Sequence, residues 1–221
     1  MFPQQPQQQF RVAGADVKLF YGSGSNTKPT QYSWNKPVGV SHVYMMLIGG
    51  GGGGDSTYGG NSGNITVWYG AAQNVPDNLI ASVGYGASAS TVGSTSSVQY
   101  RGSSLTNLLT ASGGNISAGA NTADAANQFA NSGFYQNTLG QVGAATSISA
   151  SATTFLSGGG VGVITGNYGY AKSSSFQNAG FFQLQPIIVG VGGDRSTIAG
   201  IGCGGGSGIF GGPGLILIAS W

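Results

Sequence analysis

The chain has 221 residues, 43 of them glycine and 7 proline, and only 5% are charged. A net charge of +2 with no basic cluster argues against a nucleic-acid face, which needs several Lys or Arg on one surface. The absence of a Gly-X-Y period excludes collagen. With 40% hydrophobic residues the chain has enough apolar surface to bury a core, so disorder is rejected.

Residues 1–9, Met1-Phe2-Pro3 followed by Gln and Pro, read as an arm, extended or disordered, that would tether a partner. The arm lacks a positive start and an apolar core, so it does not read as a signal peptide, and export by that route is not expected. No run reaches 18 apolar residues, so no transmembrane helix is expected. Residues 10–221 read as one β domain.

The first strand is expected within 10–21, around Val17-Lys18-Leu19-Phe20. A short strand follows at Gln31-Tyr32-Ser33-Trp34, stopped by Pro37. The next stretch organises the chain: Val43-Tyr44-Met45-Met46-Leu47-Ile48 runs straight into Gly49, Gly50, Gly51, Gly52, Gly53 and Gly54. A linker of that composition usually has polar flanks. This one has an apolar flank, so the glycines are expected to be packed, in an extended, polyproline-II-like form. Six residues at roughly 3.1 Å each span about 19 Å.

Further strands are expected at 65–69, 79–84, 95–100 and 105–111, where β-branched and aromatic residues concentrate between turn signals. Residues 115–145 are the least β-like, with one short helix conceivable over 118–130. Strands resume at 146–155, 161–165, 181–185 and 187–191. Gly204, Gly205 and Gly206 belong to a third glycine belt. The continuous apolar run from Leu215 to Trp221 reads as a buried central strand. Short strands with turn signals and almost no helix give the fold class: an all-β, glycine-rich antiparallel β-sandwich, jelly-roll-like, with polyglycine loops.

The order of these pieces resembles a family of glycine-rich domains of bacteriophage tail fibres and related virion structural proteins. The matching pieces begin with Trp34-Asn35-Lys36-Pro37, the strand and polyglycine of 43–54, and Gly59-Gly60-Asn61-Ser62-Gly63. They continue with Val83-Gly84-Tyr85-Gly86, the belt at 204–208, and Gly211-Gly212-Pro213-Gly214 leading to the strand that ends in Trp221. The resemblance covers 32–114 and 187–221, and about 115–186 departs from it as an insertion. It implies a β-rich virion module located in the virion, and no catalytic residues.

The residues themselves offer little chemistry. Gly49–Gly54 satisfies a dinucleotide motif trivially, but such a site needs a helix opening there, and Asp55-Ser56-Thr57-Tyr58 and more glycine follow instead. His42 is the only histidine, and Cys203 the only cysteine, so neither a metal cluster nor an intramolecular disulfide is expected. The aspartates at 16, 55, 77, 124 and 194 are isolated in sequence. No catalytic residue, cofactor or metal is assigned. Asn64-Ile65-Thr66 and Asn115-Ile116-Ser117 match the glycosylation pattern.

Tyrosines in or near glycine-rich segments, among them Tyr58, Tyr69, Tyr85 and Tyr100, suit sugar stacking or protein contact, and equally suit sheet packing. The functional expectation is a structural virion protein, a tail-fibre, spike or capsid-associated subunit. It would act as a homo-oligomer, a trimer or larger array, and meet other virion proteins through the N-terminal arm. A receptor- or glycan-binding adhesin touching a host-surface glycan or protein is the alternative, and a jelly-roll capsid protein a third.

Overall fold

The computed structural model describes residues 14–23, 28–55, 58–116, 120–140, 199–206 and 208–221. The expected arm at 1–9, the strands expected between 146 and 191, and Asp194 lie outside them.

Among the described residues, nine strands form two antiparallel sheets. The strands are β1 (Asp16–Tyr21), β2 (Thr30–Asn35), β3 (His42–Ile48), β4 (Ile65–Ala71), β5 (Asn78–Val83), β6 (Ser96–Arg101), β7 (Leu105–Ala111), β8 (Phe134–Thr138) and β9 (Leu215–Ser220). The first sheet has the order β1-β9-β3-β4-β8 and the second β2-β5-β6-β7. The all-β sandwich is therefore what this sequence forms.

Alternation explains the core. Val43, Met45 and Leu47 of β3, Trp68 of β4, and Ile216 and Ile218 of β9 point to one side of the first sheet. They meet Trp34, Leu79, Ala81, Val83, Val98 and Leu109 from the second sheet. Full burial of side chains this size contributes about 1.5–3 kcal/mol each. β3 from Val43 onward and β9 up to Ala219 carry apolar or aromatic residues at every position for a further reason. Their other faces form a second cluster, in which Tyr44, Met46, Ile48, Leu215 and Leu217 are buried with Ile65 and Val67. These two strands lie side by side within the sheet, apolar on both faces, as a continuous hydrophobic run requires.

The segment read as helix-permissive carries no α-helix over its described residues. It has a 3-10 turn at Ala130–Ser132, then β8, which pairs with β4 from Ile65↔Thr138 to Tyr69↔Phe134. β8 escaped sequence reading because Phe-Tyr-Gln-Asn-Thr shows no clean alternation, and all but Phe134 are half-buried.

The two ends of the sandwich differ. At one end lie short connections, 72–77 with its 3-10 turn and 102–104. Lys36 ties that end together. Its Nζ donates to the carbonyls of Ala72 at 3.1 Å and Val75 at 2.6 Å, and pairs with Asp77 at 2.9 Å. At the other end β3, β5 and β7 each run into a glycine-rich segment, and such segments lead into β4, β6 and β9.

Candidate contact surface

These segments assemble into a bundle around residues 49–54. Each of the six N–H groups there donates to a backbone carbonyl, in a repeat of three. Gly49 and Gly52 bond Asn64 and Asn61; Gly50 and Gly53 bond Ser94 and Thr91; Gly51 and Gly54 bond Gly212 and Ile209. Partner numbers fall as donor numbers rise, so these three neighbours run antiparallel to the central segment. Three more run parallel to it. A Cβ at Gly49 or Gly52 would strike the carbonyl of Ser112 or Asn115; at Gly50 or Gly53, that of Tyr85 or Ser88; at Gly51 or Gly54, that of Cys203 or Gly206.

The six neighbours also bond one another in a closed ring. Asn61 and Asn64 donate to Asn115 and Ser112, Gly93 to Gly114, and Ser94 to Tyr85. Gly211 donates to Ala87, Gly212 to Cys203, and Gly60 and Gly63 to Gly205 and Gly202. A three-residue repeat along an extended chain is the symmetry of polyproline II, which makes no hydrogen bonds within itself. Its N–H and C=O groups radiate in three directions, and six neighbours satisfy them, as buried backbone demands. No direction remains for a side chain on the central segment. That is why it is glycine at every position.

The sequence-expected glycine residues therefore come together: Gly205 N–H donates to the Gly52 carbonyl at 2.9 Å, joining the 204–206 belt to the 49–54 belt. The tyrosines do not. Tyr58 closes a turn at the far tip of the bundle, where its N–H meets Asp55 Oδ1 at 2.6 Å. Tyr85 sits half-buried where β5 enters the bundle. Tyr69 lies on the second face of the first sheet, its ring parallel to His42 and Trp221 at 5.6 and 5.8 Å. Tyr100, 41% exposed, is on the second sheet near the end with short connections.

The tip holds the turns that join antiparallel segments. Ser88 and Thr91 close one of them, with Thr91 Oγ1 on the Ser88 carbonyl at 2.8 Å and Ser90 held at a φ of 56°. Gly208, at φ 72°, donates to the Asp55 carbonyl and couples two turns. Val92 (52% exposed) and Phe210 (38% exposed) stand near this end.

A polar network missed in the sequence anchors residues 120–140. Asp124 accepts from Ser112 N–H at 3.0 Å, Ser112 Oγ at 2.7 Å, Asn64 Nδ2 at 2.8 Å and Asn137 Nδ2 at 3.0 Å. Asn121 bridges Asn61, Asn64 and Ser62. The available signal was the spacing Asn61-x-x-Asn64: on a threefold helix, residues three apart share a face. Asn64 is fully buried and so committed, which removes it as a glycosylation acceptor.

Ser41 Oγ and His42 Nδ1 lie 2.9 Å apart, and Cys203 is buried within the bundle. Among the described residues no group of three or more His, Cys, Asp or Glu is placed to hold a metal. None of their helices is long and apolar enough to cross a membrane. Burial pushes the Tyr44 phenol up. Tyr135 is raised by burial first and the Asp124 charge second, against a Thr66 hydrogen bond that lowers it. No protein-family model matches the chain, and no curated protein matches it.

Proposed function

We propose that this chain is a structural virion protein, a tail-fibre, spike or capsid-associated subunit that acts by assembly and surface contact. The observation that carries the reading is the seven-segment glycine bundle set end-on against the sandwich. Backbone hydrogen bonds in every direction hold it, and its turns are presented at the end away from the sheets. Such a bundle supplies stiffness and a fixed tip. The virion setting rests on the sequence resemblance, and the low charge suits a chain whose surface becomes interface in an assembly.

Light scattering on the purified protein, followed by negative-stain imaging, tests it. A discrete trimer supports a spike or fibre subunit, and shells or long polymers support a coat or filament subunit. A clean monomer counts against assembly.

The exposed apolar residues Val92 and Phe210 favour a second reading, a receptor-binding adhesin whose tip makes the contact. Binding to host cells that is lost in a Val92→Ser, Phe210→Ser double variant supports it, and unchanged binding removes the tip from consideration.

A further inference from the structure

The outer face of the second sheet carries a groove of about 610 Å³ at the end remote from the glycine bundle. Its composition follows from register. Leu79, Ala81 and Val83 of β5 point into the core, so Asn78 and Ile80 point out. Asn35 pairs with Asn78, Ser33 with Ile80, and Leu79 with Tyr100, which sets Arg101 beside Asn78 on the outer side. Ile80 thus forms a half-buried apolar floor, with Gln31, Ser33 and Asn35 along one side and Arg101 on the other.

A solvated antiparallel sheet also presents polar residues. Two features go beyond that default. The first is concavity. The second is availability: among the described residues, the side chains of Gln31, Ser33, Asn35, Asn78 and Arg101 have no hydrogen-bond or ion-pair partner. Buried amides such as Asn61, Asn64 and Asn121 are committed to one another, whereas these groups face solvent on one concave surface. The groove therefore offers amide and hydroxyl groups that both donate and accept, on strands fixed by cross-strand pairing, with the permanent cation of Arg101 beside them. Among the described residues no carboxylate lines it. The neighbouring Asp77 is turned to Lys36.

We infer that this groove binds an acidic saccharide, a polyhydroxylated ring bearing a carboxylate. Amides match vicinal hydroxyls, Ile80 meets the C–H face of the ring, and the guanidinium of Arg101 takes the carboxylate through two parallel hydrogen bonds. The inference rests on the proposal that the chain acts by surface contact, and places a contact at this groove, apart from the tip.

A glycan array presenting sialic acid-terminated, uronic acid-containing and neutral oligosaccharides tests it, with titration of the best carboxylated glycan. The wild-type protein is expected to retain carboxylated glycans over neutral ones. Arg101→Gln should weaken binding by about tenfold or more, and Arg101→Lys by less, because the charge survives and the fork does not. Asn78→Ala should weaken all ring-bearing ligands alike. Unchanged unfolding midpoints keep these effects local. A flat array, equal retention of neutral and acidic glycans, or wild-type affinity in Arg101→Gln overturns the groove. Glycan binding that survives Arg101→Gln but is lost in the tip double variant overturns the groove while leaving the contact reading standing.

Discussion

The carbonyl oxygen of Cys203 occupies the place that a Cβ at Gly51 would need. The obstruction is backbone on both sides, so a rotamer change cannot relieve it. Gly51→Ala is expected to cost about 1–3 kcal/mol or more, the range for forcing atoms into a packed interior. Gly39→Ala separates space from conformation. Gly39 has φ +83° with nothing within 4 Å of its Cβ position, so its cost should stay near 1 kcal/mol, from the left-handed backbone alone. Gly102→Ala meets only the Tyr100 ring, at 3.4 Å, and should be neutral or slightly stabilising. Urea midpoints for the three variants check the order.

Asp124 should matter for stability out of proportion to its isolation in the sequence. Asp124→Ala leaves donors on Ser112, Asn64 and Asn137 without their acceptor. A loss of about 2–4 kcal/mol is expected, with water entering the half-buried site to offset the remainder. A lower urea midpoint at unchanged m-value is the signature. No change in midpoint would show that the network does not hold 120–140 to the bundle.

Lys36 separates two kinds of electrostatic contact. Its bonds to the Ala72 and Val75 carbonyls are made with the lysine side chain 17% exposed, whereas the Asp77 side chain is 81% exposed. Lys36→Met should cost about 1–3 kcal/mol. Asp77→Ala should cost below about 0.5 kcal/mol, because solvent screens the pair. A double-mutant cycle checks that the ion pair is the minor part.

Stability should decline at alkaline pH. Tyr44 and Tyr135 both have folded-state pKa values raised above the unfolded value, Tyr44 by burial and Tyr135 by burial and then the Asp124 charge. A raised pKa means the folded state holds the phenolic proton more tightly. That contribution is complete below about pH 10, the unfolded value, and is lost as pH rises through the folded values. Tyr44→Phe should flatten the loss, and Tyr135→Phe should flatten it less. Denaturant midpoints measured across the alkaline range report the slope.

Much of the fold was legible because its signals are local. β7, at Leu105–Ala111, coincides with its expected range, and β3 and β9 fall within a residue of theirs. Apolar runs and alternation act over a few residues, so the chain displays them directly. The packed state of the glycine run could likewise be argued from its apolar flank.

What the sequence determined by itself was the β character, the buried central strands and the demand for glycine at 49–54. The tertiary structure decided which segments surround those glycines, because six neighbours drawn from positions as distant as 61 and 212 must close one ring. It also decided that Asn64, Asn121, Asp124 and Asn137 meet, and that Tyr58, Tyr69, Tyr85 and Tyr100 do not. Side-chain networks and outward faces depend on register between strands far apart in the chain, and no local pattern encodes that register.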